Sequence, residues 1–159
     1  MRWILLDRFC EIERDKRAVA DKNISLQETC LQDQLPGRPI YPQTLMLEAM
    51  AQTGGVLAGY SMDFKCDLFL AKIESVVFKE PVWAPAKIVY TAELGTYNDT
   101  GCRFQAATTV DNKQVAQAAY LLVTAPADIT GNTEPIVFNF QFFKLFNLQK
   151  LLGGERLSK

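Results

Sequence analysis

Gln43-Thr44-Leu45-Met46-Leu47-Glu48-Ala49-Met50-Ala51-Gln52-Thr53-Gly54-Gly55-Val56-Leu57-Ala58-Gly59-Tyr60 is apolar on nearly every side, and between Arg38 and Asp63 the only charged residue is Glu48. A helix of this composition is normally buried rather than laid on a surface. Pro42, Gln43, Glu48, Gln52 and the three glycines argue against a membrane span. Gly54, Gly55 and Gly59 each cost a helix about 1 kcal/mol relative to alanine. They make sense if another backbone passes close by, as when a sheet wraps the helix. The alternative is that the helix ends after Thr53.

Working outward, Leu31 to Pro42 holds Pro36, Pro39 and Pro42 together with Gly37, so a rigid non-helical arm is expected to lead into the helix. Trp3 to Glu13 and Arg17 to Ser25 read as extended segments around the polar turn Glu13-Arg14-Asp15-Lys16-Arg17. After the helix, Phe69 to Phe78 reads as a strand, and Pro81-Val82-Trp83-Ala84-Pro85 breaks it. Lys87 to Leu94 alternates with period two. Asn98-Asp99-Thr100-Gly101 and Asp111-Asn112-Lys113 are turn sequences, the second joining Arg103–Val110 to Gln114–Thr124. One long helix followed by an antiparallel meander defines an α+β domain whose sheet curls around the helix, covering residues 1–125. Residues 126–159 form a C-terminal extension. Its linker-like Gly131-Asn132-Thr133-Glu134-Pro135 leads to an aromatic run from Phe138 and a short helix ending at Gly153-Gly154. The extension is expected to pack on the domain's own surface, a membrane- or partner-docking segment being the other reading.

Seventeen basic against 18 acidic residues give a net charge of −1, which supplies no electrostatic reason to expect nucleic acid as partner. Cys10, Cys30, Cys66 and Cys102 contain no C-x-x-C pair, and the chain has no histidine; a zinc site is therefore not expected. Free cysteines and the absence of a secretory-type apolar run at the N-terminus point to the cytoplasm.

Glu48 is the residue most open to chemistry. A lone carboxylate on a buried apolar helix is expected to have a raised pKa unless a partner stabilises its charge. Such a group suits general acid/base work or activation of water. The structural reading is a carboxylate that satisfies backbone amides or pairs with Arg38 or Lys72. Cys30 lies close enough to the arm to be weighed as a nucleophile, but no histidine accompanies it.

Gln34-Leu35-Pro36-Gly37-Arg38-Pro39-Ile40-Tyr41-Pro42-Gln43-Thr44-Leu45-Met46-Leu47-Glu48-Ala49-Met50-Ala51-Gln52 resembles the signature of the 3-hydroxyacyl-[acyl-carrier-protein] dehydratases. That signature reads H-F-P-G-x-P, two hydrophobic residues, P-G-x-L-x, one hydrophobic residue, then E-A-x-A-Q. Leu5-Leu6-Asp7-Arg8, Ala71-Lys72-Ile73-Glu74 and Phe78-Lys79-Glu80-Pro81-Val82 also resemble family segments, so the likeness runs from about Trp3 to Thr124. It implies a hotdog fold, with Gln34 and Glu48 at the catalytic positions and Pro36, Gly37, Pro42, Gln43 and Gln52 around the substrate. In that family a histidine at the position of Gln34 takes the α-proton of the acyl thioester. The helix glutamate, contributed across a dimer interface, handles the proton passed to the leaving hydroxyl, and the helix N-terminus holds the thioester oxygen.

Two departures stand out: Gln34 replaces the histidine, and Gln43 replaces the glycine at the helix start. Losing a general base costs about 10²–10⁴ in rate, while a glutamine amide still donates a hydrogen bond. The resemblance thus implies a dehydratase homologue that binds acyl thioesters in fatty-acid or related lipid or polyketide synthesis. The alternatives are a thioesterase using Glu48 and Gln34, and a non-catalytic acyl-binding subunit. It further implies no separate cofactor, the substrate being carried on the phosphopantetheine of acyl-carrier protein or CoA. The expected assembly is a dimer, a trimer of dimers, or a hetero-oligomer with a related subunit. Arg38, Lys65, Lys72 and Lys79 either face the acidic carrier protein or form an ordinary solvated surface.

Overall fold

A computed structural model describes residues 4–32, 37–125, 146 and 148–151. In chain order the elements are β1 (Arg8–Glu13), β2 (Arg17–Ile24), α1 (Thr29–Gln32), α2 (Gln43–Ser61), β3 (Leu68–Phe78), β4 (Ala86–Asn98), β5 (Gly101–Val110), β6 (Lys113–Thr124) and α3 (Leu148–Leu151). The six strands form one antiparallel sheet in the order β1-β2-β4-β5-β6-β3. Helix α2 lies on its concave face and touches β2, β3, β4, β5 and β6.

The register shows how the sheet makes room for a helix. Ala18, Ala92, Ala106 and Ala118 are successive partners across β2, β4, β5 and β6, and all four are buried. A row of methyl groups lets a helix axis approach a sheet closely while still excluding water. One row further along, Phe9, Ala20, Tyr90, Thr108, Ala116 and Phe78 align across all six strands, so larger side chains close that end. The row on the other side carries Phe104 and Tyr120, whose rings stack with centroids 5.5 Å apart.

Helix α2 runs to Ser61 rather than fraying after Thr53. The sequence led us to expect a backbone passing close to its glycines, but the neighbours of Gly54 and Gly55 are side chains of β5 and β6. A Cβ on Gly54 would meet the Tyr120 hydroxyl at 2.3 Å, and one on Gly55 would reach Leu122 at 4.0 Å. The Tyr120 hydroxyl uses that space to donate to the Met50 carbonyl at 2.6 Å. The first strand also departs from expectation, starting at Arg8 rather than Trp3. Leu5 and Leu6 turn into the core instead. The turn at Asp111-Asn112 has both residues at positive φ, 49° and 62°, the backbone that a two-residue hairpin requires.

On the opposite face of β2, Asp21 is fully buried. Arg8 donates to it from Nε and from its terminal nitrogen at 2.9–3.1 Å, and Lys87 Nζ lies 3.1 Å away. This ties β1, β2 and β4 together. Burial pushes the carboxyl up, but hydrogen bonds from Arg8, Lys87 and Cys10 outweigh it and hold the group below the ordinary aspartate value. Beyond the meander, Phe146 and Leu148 are buried, with the Phe146 ring edge-on to Phe9 at 5.4 Å. The linker 131–135 and the run from Phe138 to Leu145 lie outside the described residues. Among the described residues no helix is long and apolar enough to cross a membrane.

Two outcomes follow for stability. Gly54→Ala is expected to destabilise the fold by about 1–3 kcal/mol, because Tyr120 must give up its bond or move into Phe104; urea denaturation measures it. Asp21→Asn is expected to lower stability at neutral pH. A folded-state pKa below the unfolded value, about 3.9, contributes stability that is present above that value and lost as pH falls beneath it. The gap in urea midpoint between wild type and variant should therefore close on acidification below about pH 4.

Candidate functional site

The sheet covers α2 on all but one side. Thr44 and Glu48 are exposed, and Gln52 and Gly55 are partly exposed; at 100° per residue these four positions share a single stripe. Glu48 is therefore not sunk in apolar surroundings within its own chain, and this corrects the expectation drawn from the composition of α2. Sequence shows that a helix is greasy, but not which strip of it the sheet leaves open. Among the described residues Glu48 forms no ion pair with Arg38 or Lys72; its partner is Gln52, whose Nε2 donates to Glu48 Oε1 at 3.1 Å.

Gln52 is in turn held from the other end. The backbone N–H of Leu5 donates to its Oε1 at 3.1 Å, which fixes the orientation of the amide: with the oxygen engaged by a donor, the nitrogen is left to face Glu48. The turn of Leu5 and Leu6 into the core thus has a consequence at the open stripe. The N-terminal segment, Gln52 and Glu48 form one hydrogen-bonded chain.

Pro42 is buried at the N-terminus of α2 and Gln43 is exposed. Among the described residues no side chain caps this terminus, and the first internal bonds run from the N–H groups of Leu45 and Met46 to the Pro42 carbonyl at 3.1 and 3.2 Å. The amides ahead of them are available to an anionic oxygen. The incoming arm is fastened to the segment after β3. The N–H of Tyr41 donates to the Val82 carbonyl at 2.8 Å, and the N–H of Ala84 to the Pro39 carbonyl at 2.9 Å. Gly37 is exposed and takes φ 77°, a left-handed conformation that glycine adopts without penalty. Gln34 and Pro36 lie outside the described residues.

From Gln43 to Glu48 the helix advances about 7.5 Å and turns through about 500°, so the two face directions roughly 140° apart.

Strand β3 lies at the sheet edge beside this stripe. Phe69, Leu70, Ile73 and Val77 along it are 48, 39, 44 and 47% exposed. Leu70 and Ile73 pair with Leu122 and Tyr120, which point to the helix side, so the concave face of β3 is open and apolar. Cys30 is unsuited to nucleophilic work: burial pushes its thiol up, Glu28 adds to this, and Lys22 opposes it. Arg38, Lys65, Lys72 and Lys79 are all exposed.

A curved antiparallel sheet around a single helix, with a carboxylate on the helix's free face, defines a hotdog-fold domain. The chain belongs to the FabA-like family, whose domain model matches residues 2–119, and is a homologue of the 3-hydroxyacyl-[acyl-carrier-protein] dehydratases. It is 36% identical over 118 residues to the dehydratase FabZ of Hydrogenobaculum sp. (strain Y04AAS1), covering 72% of this chain and 80% of that one. It is 35% identical over 124 residues to FabZ of Campylobacter fetus subsp. fetus (strain 82-40), covering 73% and 83%. Among solved structures, the dehydratase heterocomplex ApeI:P from Xenorhabdus doucetiae is similar with a TM-score of 0.67 at 14% identity, covering 79% of this chain and 85% of that one. A hypothetical thioesterase with coenzyme A from Streptococcus pneumoniae TIGR4 is similar with a TM-score of 0.60 at 13% identity, covering 74% and 84%. At these identities the structures establish the fold alone.

The arrangement around Gln52 can be tested through stability. Gln52→Leu leaves the Leu5 N–H without its acceptor and is expected to cost about 1–3 kcal/mol. Gln52→Glu keeps an acceptor for that N–H, so its loss should come instead from the facing carboxylates and shrink as pH falls through the ordinary glutamate range, about 4.3. Chemical denaturation at neutral and acidic pH distinguishes the two variants.

Proposed function

We propose that this chain binds 3-hydroxyacyl and enoyl thioesters presented on the phosphopantetheine of acyl-carrier protein or CoA. Glu48 is the acid–base group, and dehydration is slow because Gln34 stands where the family has its base. The observation that carries the reading is the position of Glu48. It lies on the free face of α2, oriented by Gln52, within an E-A-x-A-Q sequence that matches the family's own. The N-terminal amides of α2 around Pro42 and Gln43 receive the thioester oxygen, and Gly37 and Pro36 shape the entrance.

Elimination needs one group to take the α-proton and another to deliver a proton to the leaving hydroxyl. Glu48 serves the second role. Gln34 contributes a hydrogen bond to the thioester carbonyl but has no pKa suited to the first. With no histidine in the sequence, a second copy of this chain brings no imidazole either.

The exposed apolar face of β3 at the sheet edge supports an oligomer built along it, bringing Glu48 of one subunit to the helix start of another. A dimer of this kind also covers Leu70 and Ile73 and removes an 11-residue free edge. The carrier protein comes to this reading from the dehydratase relatives, and a cytoplasmic location from the free thiols of Cys10, Cys30, Cys66 and Cys102.

The experiment supplies 3-hydroxyacyl, enoyl and saturated acyl thioesters and follows double-bond and free-thiol signals together. Binding with weak dehydration is expected from the native chain. Gln34→His should raise dehydration by about 10²–10⁴-fold, and Glu48→Gln should abolish it in that background. Thiol release from all three substrates would instead identify a hydrolase. Binding with no gain from Gln34→His would identify a non-catalytic acyl-binding subunit.

A further inference from the structure

Lys22 lies on the inner face of β2. Its neighbours on that face, Ala20 and Ile24, are buried, and so is Ile88, its partner on β4. Lys22 itself is only 9% exposed. Taking an ammonium out of water is costly, and a buried ion pair is commonly no more stable than apolar side chains of the same volume. A methionine would fill this place without that cost, so stability alone does not account for the charge.

The charge reaches two carboxylates, Glu28 at 3.2 Å and Asp7 at 3.9 Å, and these stand on separate segments. Glu28 immediately precedes α1, and its carbonyl accepts the N–H of buried Leu31 at 3.0 Å. Two residues after α1 the sequence reaches Gln34. Asp7 precedes β1. Its carboxylate also accepts the backbone N–H of Asn23 at 2.7 Å and the side-chain amide at 3.1 Å, and its own N–H donates to the Asp21 carbonyl at 2.9 Å. Two residues before it is Leu5, whose N–H holds Gln52 and through it Glu48. The two segments pinned by Lys22 are thus those that lead to the two polar parts of the site. We propose that Lys22 is a positioning residue: one buried charge fastens the root of the arm and the N-terminal segment to the same point of β2, and so places both the arm that carries Gln34 and the Gln52–Glu48 pair. It acts through these residues and touches no reacting atom. Its part in catalysis rests on the function proposed above; the fastening itself does not.

Lys22→Met removes the charge and keeps the volume. By NMR hydrogen exchange, the amides of Leu5 and Leu31 are expected to exchange about 10-fold faster in this variant, while that of Leu94, bonded to the Lys16 carbonyl beside the start of β2, keeps its native rate. Equal acceleration of all three amides, which is what plain loss of stability gives, overturns the proposal, as does an unchanged rate at Leu5 or at Leu31. Lys22→Gln makes the same comparison if Lys22→Met does not fold. In the Gln34→His background, Lys22→Met is further expected to lower kcat for the 3-hydroxyacyl thioester by about 10²-fold with KM little changed, and Lys22→Arg, which keeps the charge, to recover most of the loss. A kcat unmoved by Lys22→Met overturns the positioning role. Absence of dehydration in Gln34→His itself counts against the proposed function and leaves Lys22 to be judged on the three amides.

Discussion

The seating of α2 on a row of alanines governs the rest of this structure. Ala18, Ala92, Ala106 and Ala118 bring the helix close to the sheet, and Gly54 lets Tyr120 bond to the helix backbone at Met50. Close approach buries most of the helix circumference, and the one strip that escapes is where polar side chains are tolerated. Glu48 and Gln52 occupy it. The carboxylate is thus placed by exclusion: on any other face of α2 it would lie against apolar side chains without compensation.

The same packing leaves the two ends of the sheet unlike. Among the described residues the sheet ends at β3, with apolar side chains on its helix side and an unpaired edge. At β1, by contrast, Phe146 and Leu148 cover the inner surface. One end is closed by the chain's own Phe146 and Leu148, and the other keeps exposed apolar side chains among the described residues, the kind of surface that marks an interaction site.

Much of this was legible in the residues. The length of α2 followed from an apolar run interrupted by a single charge, and the meander followed from period-two alternation broken at turn sequences. Asp111-Asn112 marked its hairpin because those side chains tolerate positive φ. The exposure of Glu48 was not legible. Hydrophobic content reports how much of a helix is buried, whereas the free strip is set by where a curved sheet stops. The bond from Leu5 to Gln52 joins positions 47 residues apart and leaves no local pattern.

The exchange of histidine for glutamine that we propose at position 34 bears on a site whose remaining parts answer to different constraints. Gln52 holds Glu48 but also accepts the Leu5 N–H, so loss of Gln52 would expose a fault in the fold as well as in the site. The helix N-terminus cannot be lost without losing α2, and Pro42 and Tyr41 are fixed by burial. In the reading proposed above, the carboxylate, its amide partner and the amides of the helix start are thus held by the packing of α2 whatever residue stands at position 34.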